Sequence, residues 1–370
     1  VMSVEKAYRF RLYPNKEQQI LIQKTFGCTR FVYNHYLALR QQHYQQTKQT
    51  LNYNACSKDL TQLKRQLDWL REVDSTALQT SLKHMDAAFS RFFGGLKKGQ
   101  KVGFPKFKSK HGGRKAFTSK MNIRVLDNAI HLPKLGRVAC EISRPIQGRP
   151  VSMTVSQGPS GKYHVSILCL EVTAEPYKKT GRSVGIDLGI KELAVTSDGQ
   201  HIPNPKFYSK AQKSLAKAQR RLSRKQKGSR NRQKANVKVA ILHERIQNQR
   251  RDACHKLTTR LVRDHDLIAV ETLKIKNMVR NRKLAKAIHD AAWGEVIRQL
   301  SYKCDWYGKE LVQINTFYPS SQTCSSCGHQ NPAVKDLGVR RWICPACGAN
   351  HDRDENAAKN ILVKGLQLTA

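Results

Sequence analysis

Acidic side chains are scarce in this sequence. Its 370 residues hold 27 Asp and Glu against 67 Lys and Arg, a formal net charge of +40. That excess is far beyond what solubility needs, and it implies a polyanionic partner, nucleic acid over a long contact. Also missing is any apolar run approaching the roughly 18–20 residues of a membrane span, so no membrane partner is expected. No charged-then-apolar signal pattern opens the chain. Six of the ten cysteines (Cys28, Cys56, Cys140, Cys169, Cys254, Cys304) have no metal-ligand spacing among them. They read as free thiols, several of them buried, in a reducing compartment. The chain is too long for one compact core and long enough for two or three domains.

The other four cysteines are patterned. Cys324 and Cys327, then Cys344 and Cys347, form two C-x2-C pairs with sixteen residues between them. Each pair lets two thiolates of one tight turn reach the same ion. Gly328 and Gly348 follow the pairs, where a knuckle turn needs a residue tolerant of positive φ. Two disulfides or a redox pair would use the same residues. The double spacing points instead to structural Zn²⁺ in a zinc ribbon over residues 321–350. Such a closed site folds its segment and leaves no coordination position for chemistry. Beyond it, Asp352 and Asp354 open a helical run through Asn356 and Ile361. Taken alone they read equally well as helix caps.

Earlier in the chain, Tyr8 to Tyr13 alternates and stops at Pro14, as a strand does. Asn15 then caps a helix, and Leu21, Phe26, Phe31 and Tyr33 predict one or two helices before Arg40. Further helices are expected over about 57–70 and 75–93, the last with Leu78, Leu82, Met85 and Phe89 on one face. Residues 15–113 thus read as a helical insertion, broken by Gly94-Gly95 and by the stretch from Gly99 to Gly113. Within that break, Phe104-Pro-Lys-Phe-Lys108 interleaves rings and charges. Lys106 and Lys108 suit phosphates and the Phe rings suit a base or sugar, unless the rings anchor the loop. Short alternating segments from 114 to 178 predict a small antiparallel barrel, completed by the strand in 1–14.

A new domain begins at 179. Ser183-Val-Gly-Ile-Asp-Leu-Gly189 is a short buried strand with an acid near its end, and Leu267-Ile-Ala-Val-Glu271 is another. Between them a strand at 194–197 meets a hairpin-type turn at Asp198-Gly199. Two basic helices follow, at 209–226 and about 235–262, each with an a/d seam. Nearly all their outer charges share one sign. Like charges repel, so a phosphate backbone explains that face better than solvent, with Arg220, Arg221, Arg224 and Lys225 as contacts. A helix over 293–302 and a strand over 311–315 lead to the ribbon.

Asp187, Glu271 and Asp354 therefore stand at two strand ends and one helix start. Three converging carboxylates repel unless a cation neutralises them. Oxygen-only ligands and a phosphate substrate favour Mg²⁺ or Mn²⁺. Two such ions polarise a phosphodiester, activate water and stabilise the leaving oxygen. A lone strand-end Asp is more often structural; the ordered set in so basic a chain carries the reading.

Across nearly its whole length the sequence resembles the TnpB family, transposon-encoded RNA-guided DNA nucleases regarded as ancestral to type V CRISPR effectors. The pieces that carry the resemblance are Phe10-Arg-Leu-Tyr-Pro14, Arg30-Phe-Val-Tyr-Asn34, Phe104-Pro-Lys-Phe-Lys108, Gly185-Ile-Asp-Leu-Gly189 and Val270-Glu271. To these add Pro319-Ser-Ser-Gln-Thr-Cys-Ser-Ser-Cys-Gly328 and Asp352-Arg-Asp-Glu-Asn-Ala-Ala-Lys-Asn-Ile361. The resemblance implies an α/β RuvC-like RNase H fold over 179–320 and 351–370, carrying the basic hairpin 209–262 and split by the zinc ribbon. It also implies a wedge-type β-barrel with an inserted helical recognition domain. Asp187, Glu271 and Asp354 match the catalytic, Mg²⁺-holding acids, with Asp352 as helix cap or backup.

The implied activity is cleavage of target double-stranded DNA beside a short transposon-associated motif. The implied partners are that DNA and a guide RNA derived from the transposon end, in a prokaryotic, nucleoid-associated, cytoplasmic setting. Tyr33, Asn34, Ser81 and Lys83 lie in regions suited to recognition, although each also fits packing or a solvated surface. Two rivals remain: a catalytically inactive RNA-guided DNA-binding repressor, and a protein-only RNase H-like recombinase or resolvase.

Overall fold

A computed structural model describes residues 2–110, 112 and 115–369, so the expected boundary at 113–114 lies outside the described residues. The chain divides into two compact units, Ser3–Thr173 and the part from Ala174 onward.

The first unit opens with β1 (Met2–Tyr13), α1 (Lys16–Thr47), α2 (Tyr53–Gln66) and α3 (Ser75–Lys97). It continues with β2 (Lys115–Ser119), β3 (Arg124–Leu126), β4 (Ala129–Leu132), β5 (Gly136–Glu141), β6 (Arg149–Gln157) and β7 (Tyr163–Ala174). These strands form one curled seven-stranded antiparallel sheet, ordered β2-β6-β7-β1-β5-β4-β3. Strand β1 lies inside it because Tyr8, Phe10 and Leu12 alternate onto the buried face with Val138, Val165 and Ile167. Helix α1 serves two cores. Ile22 and Phe26 join the sheet, while Val32, Tyr36 and Leu37 meet Leu60, Leu78, Leu82 and Met85.

Several helix boundaries differ from the sequence reading, among them that of α2, which starts at Tyr53 and ends at Gln66 where 57–70 is expected. Helix α1, started by a capping box between Asn15 and Gln18, is the single-helix alternative, and it runs past Arg40 to Thr47. Helix α3 runs through Gly94-Gly95 to Lys97. Gly95 is there for close packing, since a Cβ would lie 2.6 Å from Val102 Cγ1.

The second unit contains β8 (Ser183–Asp187), β9 (Glu192–Thr196), β10 (His201–Pro203), α4 (Phe207–Ser223), α5 (Arg230–Asp264) and β11 (Leu267–Glu271). Next come α6 (Ile275–Met278) and α7 (Arg282–Ala291), in a stretch to which the sequence reading assigned no element, then α8 (Trp293–Tyr307) and β12 (Glu310–Ile314). The chain then forms β13 (Arg341–Ile343), β14 (Asn350–Asp352) and α9 (Arg353–Thr369). A five-stranded sheet is ordered β10-β9-β8-β11-β12. Strand β11 pairs in parallel with both β8 and β12, and β9 is antiparallel to β8.

Alternation splits the two sheet faces between different helices. Val184, Ile186, Ile268 and Val270 pack with Leu257 and Leu261 of α5 and Val296 and Leu300 of α8. Leu267 and Ala269 instead pack with Ile361 of α9. Helix α9 approaches β8 so closely that a Cβ on Gly185 would lie 2.1 Å from the carbonyl oxygen of Ala358. Gly365 repeats the device over β11, its Cβ position 2.5 Å from Ala269 Cβ. Replacing Gly185 by Ala is therefore expected to destabilise the second unit by roughly 1–3 kcal/mol. Gly27→Ala, with nothing within 4 Å of its Cβ position, should be neutral or slightly stabilising. Chemical denaturation of the two variants beside the parent makes the comparison.

Candidate active site and metal centre

The acids are placed by the sheet and by α9. Strands β8 and β11 run in parallel register with Val270 opposite Ile186. Both end one residue later, on Asp187 and Glu271. Asp354 is the second residue of α9, the helix that lies on β8. Asp352 is the cap expected of it: its Oδ1 accepts from the backbone N–H groups of Asp354 at 3.0 Å and Glu355 at 3.2 Å.

Asp187 is the inner acid. Burial, then the charges of Glu271 and Asp354, push its pKa up from 3.8 to about 7 against the opposing pull of Arg353 and Arg340. Burial also raises Glu271, opposed by a hydrogen bond that Ser320 Oγ donates to its Oε1. Arg340 Nη1 lies 3.4 Å from Asp354. The carboxylates influence one another without closing into one tight shell. Among the described residues, the group of three or more His, Cys, Asp or Glu donors found within 4.8 Å of one another is the four cysteines. Ser320 donates to Glu271, and Arg340 lies beside Asp354.

The sign of the pH effect follows from Asp187. A carboxyl whose folded pKa is raised binds its proton more tightly in the folded state. It makes the metal-free protein less stable as pH rises from 3.8 toward about 7. Thermal unfolding in magnesium-free buffer should show that slope, and Asp187→Asn should flatten it.

Ser320, Asn356 and Asn360 have roles that their sequence motifs do not reveal. Asn360 Nδ2 donates to the carbonyl oxygens of Ser320 at 2.8 Å and Thr323 at 2.6 Å. Asn356 Nδ2 donates to Thr323 O at 2.7 Å, and its Oδ1 accepts from Ser325 N–H at 2.9 Å. One face of α9 thus clamps the segment entering the cysteine ribbon, and that segment holds Glu271. Two Asn at i and i+4 on a helix that otherwise packs apolar residues were the available signal. His201 was missed as well: its Nδ1 lies 2.8 Å from Glu192 and its Nε2 lies 3.0 Å from Glu355. Asn360→Ala, which removes the shorter donor to Ser320 O and one of the two donors to Thr323 O, is expected to lower stability by roughly 1–3 kcal/mol. Asn360→Asp, which turns an acceptor toward them, should lower it at least as much; thermal unfolding reads both.

The four cysteines come together as their spacing predicts. Cys324 and Cys347 sulfurs are 3.7 Å apart, as are those of Cys327 and Cys344. A disulfide needs about 2.05 Å, so these are four thiols. The two turns are alike: Gly328 N–H and Gly348 N–H each donate at 2.9 Å to the first cysteine carbonyl of the pair, with φ of 79° and 72°. Val334 and Trp342 cover the cluster. His351 Nε2, 3.0 Å from Cys324 Sγ, is a neighbour that the spacing did not reveal. The set could hold a structural metal ion such as zinc.

The basic candidates fare differently. Arg220, Arg221, Arg224 and Lys225 are exposed around the end of α4, where Leu215, Val239 and Ile246 bury the seam with α5. Lys106 is exposed. Lys108 is docked, its backbone N–H and carbonyl bonded to Asn34 at 2.8 and 2.9 Å and its Nζ 3.9 Å from the Tyr33 ring centroid. Phe104 packs edge-on against Phe89 and Phe92, which is the anchoring alternative. Ser81 is buried, donating to Thr29 O, and Lys83 lies over Tyr53.

A sheet with acids on adjacent parallel strand ends, completed by a helix beyond a cysteine ribbon, is the layout of a RuvC-like, RNase H-type fold. Comparison with known proteins agrees. The OrfB_IS605 family model, described as "Probable transposase", matches residues 166–282, and the Cas12f1-like TNB domain matches 293–361. A "Helix-turn-helix domain" model matches 2–49, where the structure has one strand and one continuous helix.

A Streptomyces pristinaespiralis protein named "Putative RNA-guided DNA endonuclease" is 42% identical over 100% of this chain and 92% of its own. The similarly named InsQ of Escherichia coli K12 is 33% identical over 99% of this chain and 93% of its own. The chain belongs to this OrfB, or TnpB, family. Cas12f1, solved with sgRNA and target DNA, shares the fold with TM-score 0.51 and 14% identity over 97% of this chain and 98% of that one. The mini-RNA-guided endonuclease CRISPR-Cas_phi3 does so with TM-score 0.52 and 8% identity over 98% and 92%.

Proposed function

We propose that this protein is the RNA-guided DNA endonuclease of a transposable element, cutting target DNA beside a short transposon-associated motif by metal-dependent phosphodiester hydrolysis. The observation that carries the reading is Asp187, desolvated at a strand end and raised by the charges of Glu271 and Asp354. A carboxyl raised to about 7 is only partly ionised at neutral pH, a cation beside it would favour the charged form, and the donors are all oxygens, so the set fits Mg²⁺ or Mn²⁺. When bound, such a cation supplies charge to the scissile phosphate and acidity to the attacking water. The chain's own part is positional. Ser320 holds Glu271, and the Asp352 cap fixes the first turn of α9 under Asp354.

In this reading Cys324, Cys327, Cys344 and Cys347 hold structural Zn²⁺ over 321–350, and the surfaces around Lys106 and Arg220 to Lys225 grip nucleic-acid backbone. Residues 15–113 supply recognition on the scaffold of 1–14 and 114–178, and residues 179–320 and 351–370 supply the nuclease. A guide RNA from the transposon end pairs with the target, so base pairing provides the sequence specificity. The implied setting is a prokaryotic cytoplasm, at the nucleoid. No helix among the described residues is long and apolar enough to cross a membrane.

The test uses protein carrying its element's flanking RNA, re-targeted to a plasmid with randomised bases beside the target. Guide-matched cutting is expected, lost with Asp187→Ala or EDTA, and the surviving sequences reveal the flanking motif. Tight guided binding without cutting would establish the repressor instead. Cutting indifferent to guide identity would leave the recombinase.

A further inference from the structure

Phe317 has no packing role that explains it. It is 81% exposed, more than any other large hydrophobic side chain described as exposed. Leaving such a ring in water forgoes the stabilisation that burial would supply. Yet the turn that presents it is well held. Phe317 N–H donates to Asn315 Oδ1 at 3.0 Å, and Tyr318 N–H to Asn315 O at 3.2 Å. Thr316 Oγ1 donates to Thr272 O at 2.9 Å, and Thr272 N–H to Ile314 O at 3.1 Å. Three residues beyond Phe317, Ser320 bonds Glu271. The turn is therefore tied on both sides to the end of β11, where Glu271 stands.

The surroundings identify the ligand chemistry. Lys274 Nζ lies 4.9 Å from the Phe317 ring centroid. The segment it belongs to exposes Lys274, Lys276, Arg280, Arg282, Lys283 and Lys286, with no Asp or Glu from Thr272 to His289. An apolar protein partner would want further apolar surface around the ring, whereas the other residues of the turn are the polar Asn315 and Thr316 and the half-buried Tyr318. A flat aromatic face flanked by cations and aimed into solvent suits an unpaired base and its phosphate.

We propose that Phe317 is a stacking platform for an unpaired base of the DNA strand that enters the acidic centre, with Lys274 meeting the phosphate of the same nucleotide. This rests on the nuclease reading above. Stacking there would fix the register of the strand, so that one phosphodiester faces Asp187, Glu271 and Asp354.

The experiment is single-turnover cutting by the guide-loaded full chain on targets with one abasic site, scanned through the positions around the cut. Phe317→Ala should slow cutting of intact DNA roughly 5- to 150-fold, the range of base–aromatic stacking, while Phe317→Trp stays within about threefold of the parent. One abasic position should reproduce the loss in the parent and add nothing in Phe317→Ala, the signature of a pairwise contact. The melting temperature and guide-RNA affinity of the variants should match the parent.

Full-rate cutting by Phe317→Ala, or additive effects of the abasic site and the substitution, would overturn the platform alone. So would a parent indifferent to every abasic position, a result that needs no variant. A parent that fails to cut intact guided DNA would overturn the nuclease reading itself.

Discussion

The close approach of α9 to β8 is the constraint on which the candidate site depends. Side chains normally set the spacing between a helix and the sheet it covers, and here Gly185 removes that spacer, leaving no room for even a Cβ beneath Ala358 and Leu362. A carboxylate on the first turn of the helix is thereby set beside one on the strand it covers. Gly185 and Asp187 belong to one motif for a mechanical reason: the first admits the helix and the second meets its acid. The same closeness explains why Asp187 is desolvated enough to hold its proton unusually tightly.

Two opposite electrostatic regimes coexist in this chain. Its surface carries a large cationic excess, yet the ends of the interior strands β8 and β11 and the first turn of α9 gather three acids. Positive charge does reach them, through Arg340 at Asp354 and through the influence of Arg353 and Arg340 on Asp187. It does not overcome the desolvation of the inner carboxyl. An acidic centre in a cationic field can receive a polyanion only if its own charge is first balanced, which ties metal loading to substrate entry in the proposed chemistry.

Much of this arrangement was legible in the residues. The cysteine pairs, the buried strands at Asp187 and Glu271, the basic hairpin and the Asp352 cap all advertise themselves through spacing, period or local chemistry. What stayed hidden is relational. Gly94-Gly95 reads as a break, yet the helix continues to Lys97, and Gly95 is the residue that lets it pack closely against Val102. Residues 272–292 look featureless because short helices leave little periodicity. Ser320, Asn356 and Asn360 are ordinary polar residues until the fold brings the two motifs face to face. His201 reaches Glu192 across the β9–β10 pairing, but it gains Glu355 only when β10 and α9 meet.

The clamp of Asn356 and Asn360 on Ser320 and Thr323 also bears on how the molecule comes into being. The third acid follows the ribbon in chain order, and the helix bearing it also secures the segment that holds Glu271. During synthesis, a nascent chain that has made both acidic strands still lacks Asp354 and a settled Glu271 until the ribbon has emerged and turned back. Under the nuclease reading, vectorial translation thus acts as a safety catch, and a prematurely terminated product would grip nucleic acid without being able to cut it.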